Sequence, residues 1–159
     1  MSRLVHLTWM VAVIVVYGCG SHPSNGANAA SSSSSSAAGA GTSRYDAGPR
    51  AGEQAIDEAP VASGETLFKG KGCSACHAFG HKLSCPDLDG VTMRRTAQWM
   101  EQQILHPDVM VKQDPISHQL FAQYALQMPN QGLTPDEAKS VIEYLKHQNH
   151  ETLEAGKGE

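Results

Sequence analysis

An all-α fold of about four helices is predicted for residues 61–150 by three observations. Apolar residues recur there at helical spacing, no run alternates apolar and polar residues as a strand does, and two proline-containing starts carry helix-capping chemistry. The first helix runs from about Gly64 to Gly70. A second places Ala97, Met100, Ile104 and Leu105 on one face and is stopped at Pro107. A third starts at Asp114-Pro115, a cap followed by a first-turn proline, and is expected to bury Ile116, Leu120, Phe121 and Tyr124. In the fourth, Thr134-Pro135-Asp136-Glu137 forms a capping box with proline at the first helical position. Ala138, Val141, Ile142 and Leu145 follow at i, i+3, i+4 and i+7, an amphipathic stripe.

The chain ahead of this domain reads as export and tether. Arg3 supplies a positive start, and residues 4–16 form an apolar run broken only by His6 and Thr8, too short to span a bilayer, which takes about 20 residues. Val16-Tyr17-Gly18-Cys19 then resembles a bacterial lipobox, which makes residues 1–18 a lipoprotein signal peptide and Cys19 the lipidated N-terminus. An ordinary cleaved signal or an uncleaved short anchor is the alternative, and each carries the protein out of the cytoplasm. Residues 19–60 are rich in Ser, Ala, Gly and Asn, including six consecutive serines at 31–36, and have few large apolar side chains to offset ordering entropy. They are expected to form a disordered tether with a root-mean-square span of about 35 Å. Residues 151–159 are expected to form a flexible tail.

The chemistry sits in Gly72-Cys73-Ser74-Ala75-Cys76-His77. Two cysteines three apart with a histidine directly after the second form the covalent haem attachment signature: each thiol adds across a vinyl group, and the imidazole is then held within reach of the iron. A zinc site needs a second ligand pair, and a dithiol redox centre needs a βαβ context. Neither accompanies this motif, because the other cysteines, Cys19 and Cys85, form no second C-x-x-C. One covalently bound haem c is therefore the expected cofactor. A domain of 90 residues is marginal alone, and a buried porphyrin would supply much of its apolar interior. Between residues 61 and 150 eight Lys and Arg face nine Asp and Glu, so no basic stripe argues for nucleic acid.

With these residues in place, the stretch from Gly64 to Leu145 resembles the class I monohaem cytochrome c family. The resemblance implies a small all-α cytochrome c fold around the haem, in which Gly64 and Phe68 of the first helix cross the last helix near Tyr144 and Leu145. It implies that Pro86 and Leu88 stand for the family's Gly-Pro-x-Leu stretch, with Cys85 in the glycine's place. The Pro86 carbonyl would then accept a hydrogen bond from His77 and orient the ligand.

Met128, in Leu126-Gln127-Met128-Pro129-Asn130, resembles the family's Met-Pro ligand loop and is the expected sixth ligand. Met110 is the runner-up, Met100 belongs to a helix face, and Met93 lies too near the proximal loop. Arg94 or Arg95 could pair with a haem propionate, and Trp99 or Tyr124 could donate a hydrogen bond to one. His81, His106 and His118 could replace methionine but read as surface residues, His147 and His150 lie near the end of the ordered part, and Cys85 reads as a small buried hydrophobe.

The expectation is a lipid-anchored electron carrier, not an enzyme, on the periplasmic side of a bacterial membrane. The segment from Arg94 to Met128 resembles cytochromes that serve respiratory reductases and terminal oxidases, so redox proteins are the expected partners. The competing reading is a haem sensor or small-ligand-binding protein whose sixth ligand is displaced. A di-haem peroxidase is disfavoured, since it needs a second C-x-x-C-H.

Overall fold

The computed structural model describes residues 41–156. The expected signal peptide, Cys19 and residues 19–40 of the expected tether lie outside the described residues. The described chain is helical: α1 (Val61–Gly70), α2 (Val91–Arg94), α3 (Ala97–Leu105), α4 (Pro107–Gln113), α5 (Pro115–Tyr124) and α6 (Pro135–Gly156), with single 3-10 turns at Ala51–Glu53 and Cys73–Ala75. No strand occurs among the described residues.

The helix starts follow from their capping residues. Thr96 accepts from the Trp99 N–H at the head of α3, and Asp114 accepts from the Ile116 and Ser117 N–H groups at the head of α5. At α6 the exchange is reciprocal: Thr134 N–H donates to Glu137 Oε2 at 2.8 Å, and Glu137 N–H to Thr134 Oγ1 at 3.3 Å. Pro107, read from the sequence as a stop, instead opens α4 as its first-turn residue. A proline lacking an N–H ends one helix and suits the start of the next, so both readings satisfy the same chemistry.

The core joins Phe68, Trp99, Met100, Met110, Val141, Ile142, Tyr144 and Leu145. Phe68, Phe79 and Tyr144 pack as a ring cluster with centroids 5.5–6.1 Å apart. At the crossing of α1 and α6 the Gly64 backbone lies so close that an added methyl would come within 2.0 Å of the Ser140 carbonyl oxygen. Only glycine permits that approach, because the atom in the way belongs to the backbone and cannot rotate aside. The sequence reading placed Tyr144 opposite Gly64 correctly and missed Ser140.

Two boundaries differ from expectation. Residues 43–60, assigned to the tether, are a folded strap on the domain. Asp46 accepts from Arg50 (3.0 Å) and from the Thr96 N–H (2.8 Å), the Ala51 N–H donates to the Arg95 carbonyl, and Ala51 is fully buried. Farther along, buried Lys146 on α6 donates to the Ala55 carbonyl at 2.6 Å, and the Asp57 N–H donates to Glu143 at 2.9 Å. The strap is held by specific polar contacts, by buried Ala51 and by Tyr45, which packs against the core. At the other end α6 continues past His150 to Gly156 with exposed side chains.

Candidate cofactor cleft

Gly72 begins the site. Its left-handed backbone, φ 81°, reverses the chain after α1 and starts the 3-10 turn that carries Cys73. A side chain there would be strained. The turn closes through Cys76 N–H and His77 N–H, both donating to the Cys73 carbonyl at 3.2 and 3.0 Å. The loop that follows folds back on itself: the Cys85 N–H donates to the Cys76 carbonyl, and the Leu88 N–H to the Ala78 carbonyl. Buried Asn149 on α6 locks this loop by donating to the Leu88 carbonyl and accepting from the Thr92 N–H and hydroxyl.

This arrangement sets His77 Nδ1 2.8 Å from the Pro86 carbonyl oxygen. A carbonyl only accepts, so Nδ1 carries the proton and Nε2 keeps its lone pair for a metal. Burial pushes the His77 pKa below its ordinary value, against the opposing pull of the Pro86 carbonyl. The ring is therefore held in the neutral, ligating form. Burial also pushes the Cys73 thiol up, with Cys76 adding to the effect and a backbone hydrogen bond opposing it.

His77, Cys73 and Pro86 line an open cleft of about 190 Å³, and Met128 lines the same cleft from the loop after α5. A single water occupies about 30 Å³ of liquid, so the space suits an organic group better than one bridging water. Apart from the arginines, Asp87, Gln103, Ser117 and Gln127, the lining is largely aliphatic and aromatic, from Phe68, Leu88, Trp99, Ile104, Leu120, Val141 and Leu145 among others. One thiol of the motif, a neutral imidazole and a thioether lining an apolar cleft, with the second thiol one residue before the imidazole, form a set that fits a covalently attached haem. Cys76 is half-buried next to the cleft and does not line it, while Cys85, 6% exposed, does.

The helix α5 shows what the cleft costs the protein part. Ile116, Leu120 and Tyr124 are only partly buried and Phe121 is 41% exposed, where the sequence reading expected all four in the core. Leu120, Phe121 and Tyr124 line the cleft, and Ile116 and Leu120 also pack against the core. A left-handed Ala125, φ 52°, ends α5 and turns the chain into the Met128 loop, which Asn130 pins by donating to the Leu105 carbonyl at 2.9 Å.

The other methionines separate by position. Met110 is 1% exposed in the core and lies outside the cleft lining, Met100 combines core and cleft wall, and Met93 is exposed beside the strap's Gly52. His81, His106 and His118 are exposed and do not line the cleft. Arg94 and Arg95 are both in the wall, where Arg94 donates to the Asp87 and Asp89 carbonyls and Arg95 pairs with Asp46 at 3.4 Å. The Trp99 indole N–H is already committed to Asp114 at 3.0 Å, so it does not donate into the cleft as considered from the sequence. Tyr124 does face the cleft, with the Lys82 ammonium 4.5 Å above its ring.

Sequence reasoning missed Gln103, Ser117 and the reach of Asp114. Gln103 follows Met100 by one turn between apolar positions, a spacing that marks the same helix face, but its polarity concealed the signal. Asp114 read only as a cap.

A family model described as Cytochrome c matches residues 61–149. Among solved structures, a cytochrome c from Rhodothermus marinus is 32% identical with a TM-score of 0.59, over 62% of this chain and 84% of that one. An engineered form of the Rhodothermus marinus cytochrome is 30% identical with a TM-score of 0.58, over 61% and 84%. No curated protein matches the chain.

Proposed function

Because the chain belongs to the cytochrome c family, which implies covalent haem c and electron transfer, we propose that it is a monohaem electron carrier with His77 and Met128 as axial ligands and Cys73 and Cys76 as attachment points. The observation that carries this reading is the His77 imidazole, fixed by the Pro86 carbonyl with Nε2 free, in one apolar cleft with the Met128 thioether. The bound haem supplies a one-electron couple; the chain supplies its ligands and environment. Pro86 sets the His77 tautomer, the apolar lining would exclude water from a group held in the cleft, and Asn149 and Asn130 pin the loops that carry Pro86 and Met128. Rigid ligands change little between oxidation states, which suits transfer of an electron without bond making.

Acid–acetone extraction of protein matured with a haem c attachment system tests the covalent part. The haem colour is expected to stay with the protein, and Cys76→Ser is expected to leave one thioether bond and an unstable product. Haem passing into the organic phase from the wild type contradicts the assignment.

We further place the domain on the periplasmic side of a bacterial membrane, anchored through acylated Cys19 and serving redox proteins of the respiratory reductase or terminal oxidase class. The support is the apolar run 4–16 followed by Val16-Tyr17-Gly18-Cys19. Several acyl chains hold a protein on a bilayer where one is marginal. Cys19→Ser is therefore expected to move the protein from the detergent phase to the aqueous phase and to change the N-terminal mass. Unchanged partitioning and mass would show that Cys19 is not the anchor.

A further inference from the structure

We propose that Gln103 is a positioning residue for Met128 and that the strap of residues 43–60 takes part in holding it, through hydrogen bonds that run from Ser43 to the thioether sulfur. The proposal rests on Met128 being the distal ligand, and the test below separates failure of one from failure of the other.

Gln103, on α3, brings Nε2 to 3.8 Å from Met128 Sδ, a contact length suited to a weak N–H to sulfur bond. Its other end accepts from the Ser117 hydroxyl at 2.6 Å. A carboxamide has one donor end and one acceptor end; a hydroxyl can meet either, but the thioether sulfur only accepts, so the donor end meets the sulfur and the acceptor end takes the Ser117 proton. Ser117 is 4% exposed and is itself fixed, since its N–H donates to Asp114 Oδ1 at 3.0 Å. Its hydroxyl lies 3.3 Å from the same oxygen, but one proton serves one acceptor, and Gln103 is the nearer. Asp114 is 2% exposed and accepts from Trp99 and from the Ser43 hydroxyl. Ser43 belongs to the strap, which Asp46, Ala51, Ala55 and Asp57 fasten to α3 and α6 through the contacts described above.

Two effects on the ligand follow. A thioether sulfur keeps a second lone pair when one is given to iron, and an N–H donor on it draws electron density away from the metal. Ferric iron loses more from weaker donation than ferrous iron, so the contact raises the reduction potential. The contact also limits rotation of a sulfur carried on an exposed loop, Leu126 being 46% exposed.

The holoprotein variants Gln103→Leu, Ser117→Ala and Ser43→Ala test the chain, with Gln102→Leu, one residue away on α3, as the control. The readouts are the near-infrared sulfur-to-iron charge-transfer band and the midpoint potential. Gln103→Leu is expected to keep the band but move its maximum, and to lower the one-electron equilibrium constant for reduction about threefold, the low end of what a net hydrogen bond contributes. Ser117→Ala and Ser43→Ala are expected to shift both readouts the same way by successively smaller amounts. Band and potential unchanged in Gln103→Leu overturn the positioning role, and an equal shift in Gln102→Leu overturns it as a general effect on the helix. A Ser43→Ala protein identical to wild type removes the strap from the proposal. If the wild type has no band, Met128 is not the ligand and the underlying assignment fails first.

Discussion

Met128→Ala is expected to abolish the sulfur-to-ferric charge-transfer band, lower the reduction potential and let carbon monoxide bind the reduced haem rapidly. A thioether is a soft ligand that favours ferrous iron, so its removal shifts the couple toward the oxidised form and opens a coordination position. The alternative ligands are placed less favourably: the histidines at 81, 106 and 118 are exposed and do not line the cleft, Met110 is buried in the core outside the lining, and Met100, though in the cleft wall, is 3% exposed and packed into the core. Met110→Ala is the matched comparison. It removes a side chain that is 1% exposed and is expected to cost about 2–5 kcal/mol of stability while leaving the band and the gas binding as they are.

Asp114→Ala is expected to destabilise the domain by about 3–5 kcal/mol in denaturant unfolding. The carboxylate accepts from the Ile116 N–H, the Ser117 N–H and the Trp99 indole N–H, each at 3.0–3.1 Å, and alanine leaves all of them unpaired. Burial by itself would push the Asp114 pKa up, but the hydrogen bonds from Ser43, Ser117 and Trp99 outweigh it and hold the pKa below the ordinary 3.8. A depressed folded-state pKa contributes stability that is complete above the unfolded value and is lost as pH falls through the folded one. Thermal melts across acid pH should therefore show a steeper fall for wild type than for Asp114→Asn below about pH 4. The asparagine variant should be the less stable of the two at neutral pH. Parallel acid profiles would mean that Asp114 does not carry this linkage.

These two residues mark what the sequence could and could not disclose. His77 and its cysteines are legible because covalent attachment demands a fixed local order. The helix faces are legible because burial imposes a period, and the Thr134–Glu137 box because capping is local. Leu120 and Phe121 have the same period yet are not in the protein core, since periodicity reports an apolar face without saying whether protein or cofactor covers it. The strap was hidden for another reason. Average composition made residues 19–60 look unable to fold, whereas residues 43–60 dock through Ser43, Asp46, Arg50, a buried alanine and Tyr45. Long-range polar contacts such as Lys146 to Ala55 and Asn149 to Thr92 leave no periodic trace at all.

Visible and near-infrared spectra of the wild-type holoprotein, ferric and then ferrous with carbon monoxide added, bear most directly on the assignment of His77 and Met128. The account predicts a low-spin haem in both states, the sulfur-to-iron band in the ferric spectrum and slow carbon monoxide binding. A ferric spectrum without that band, together with immediate carbon monoxide binding, would contradict it and point to an open iron suited to sensing small ligands.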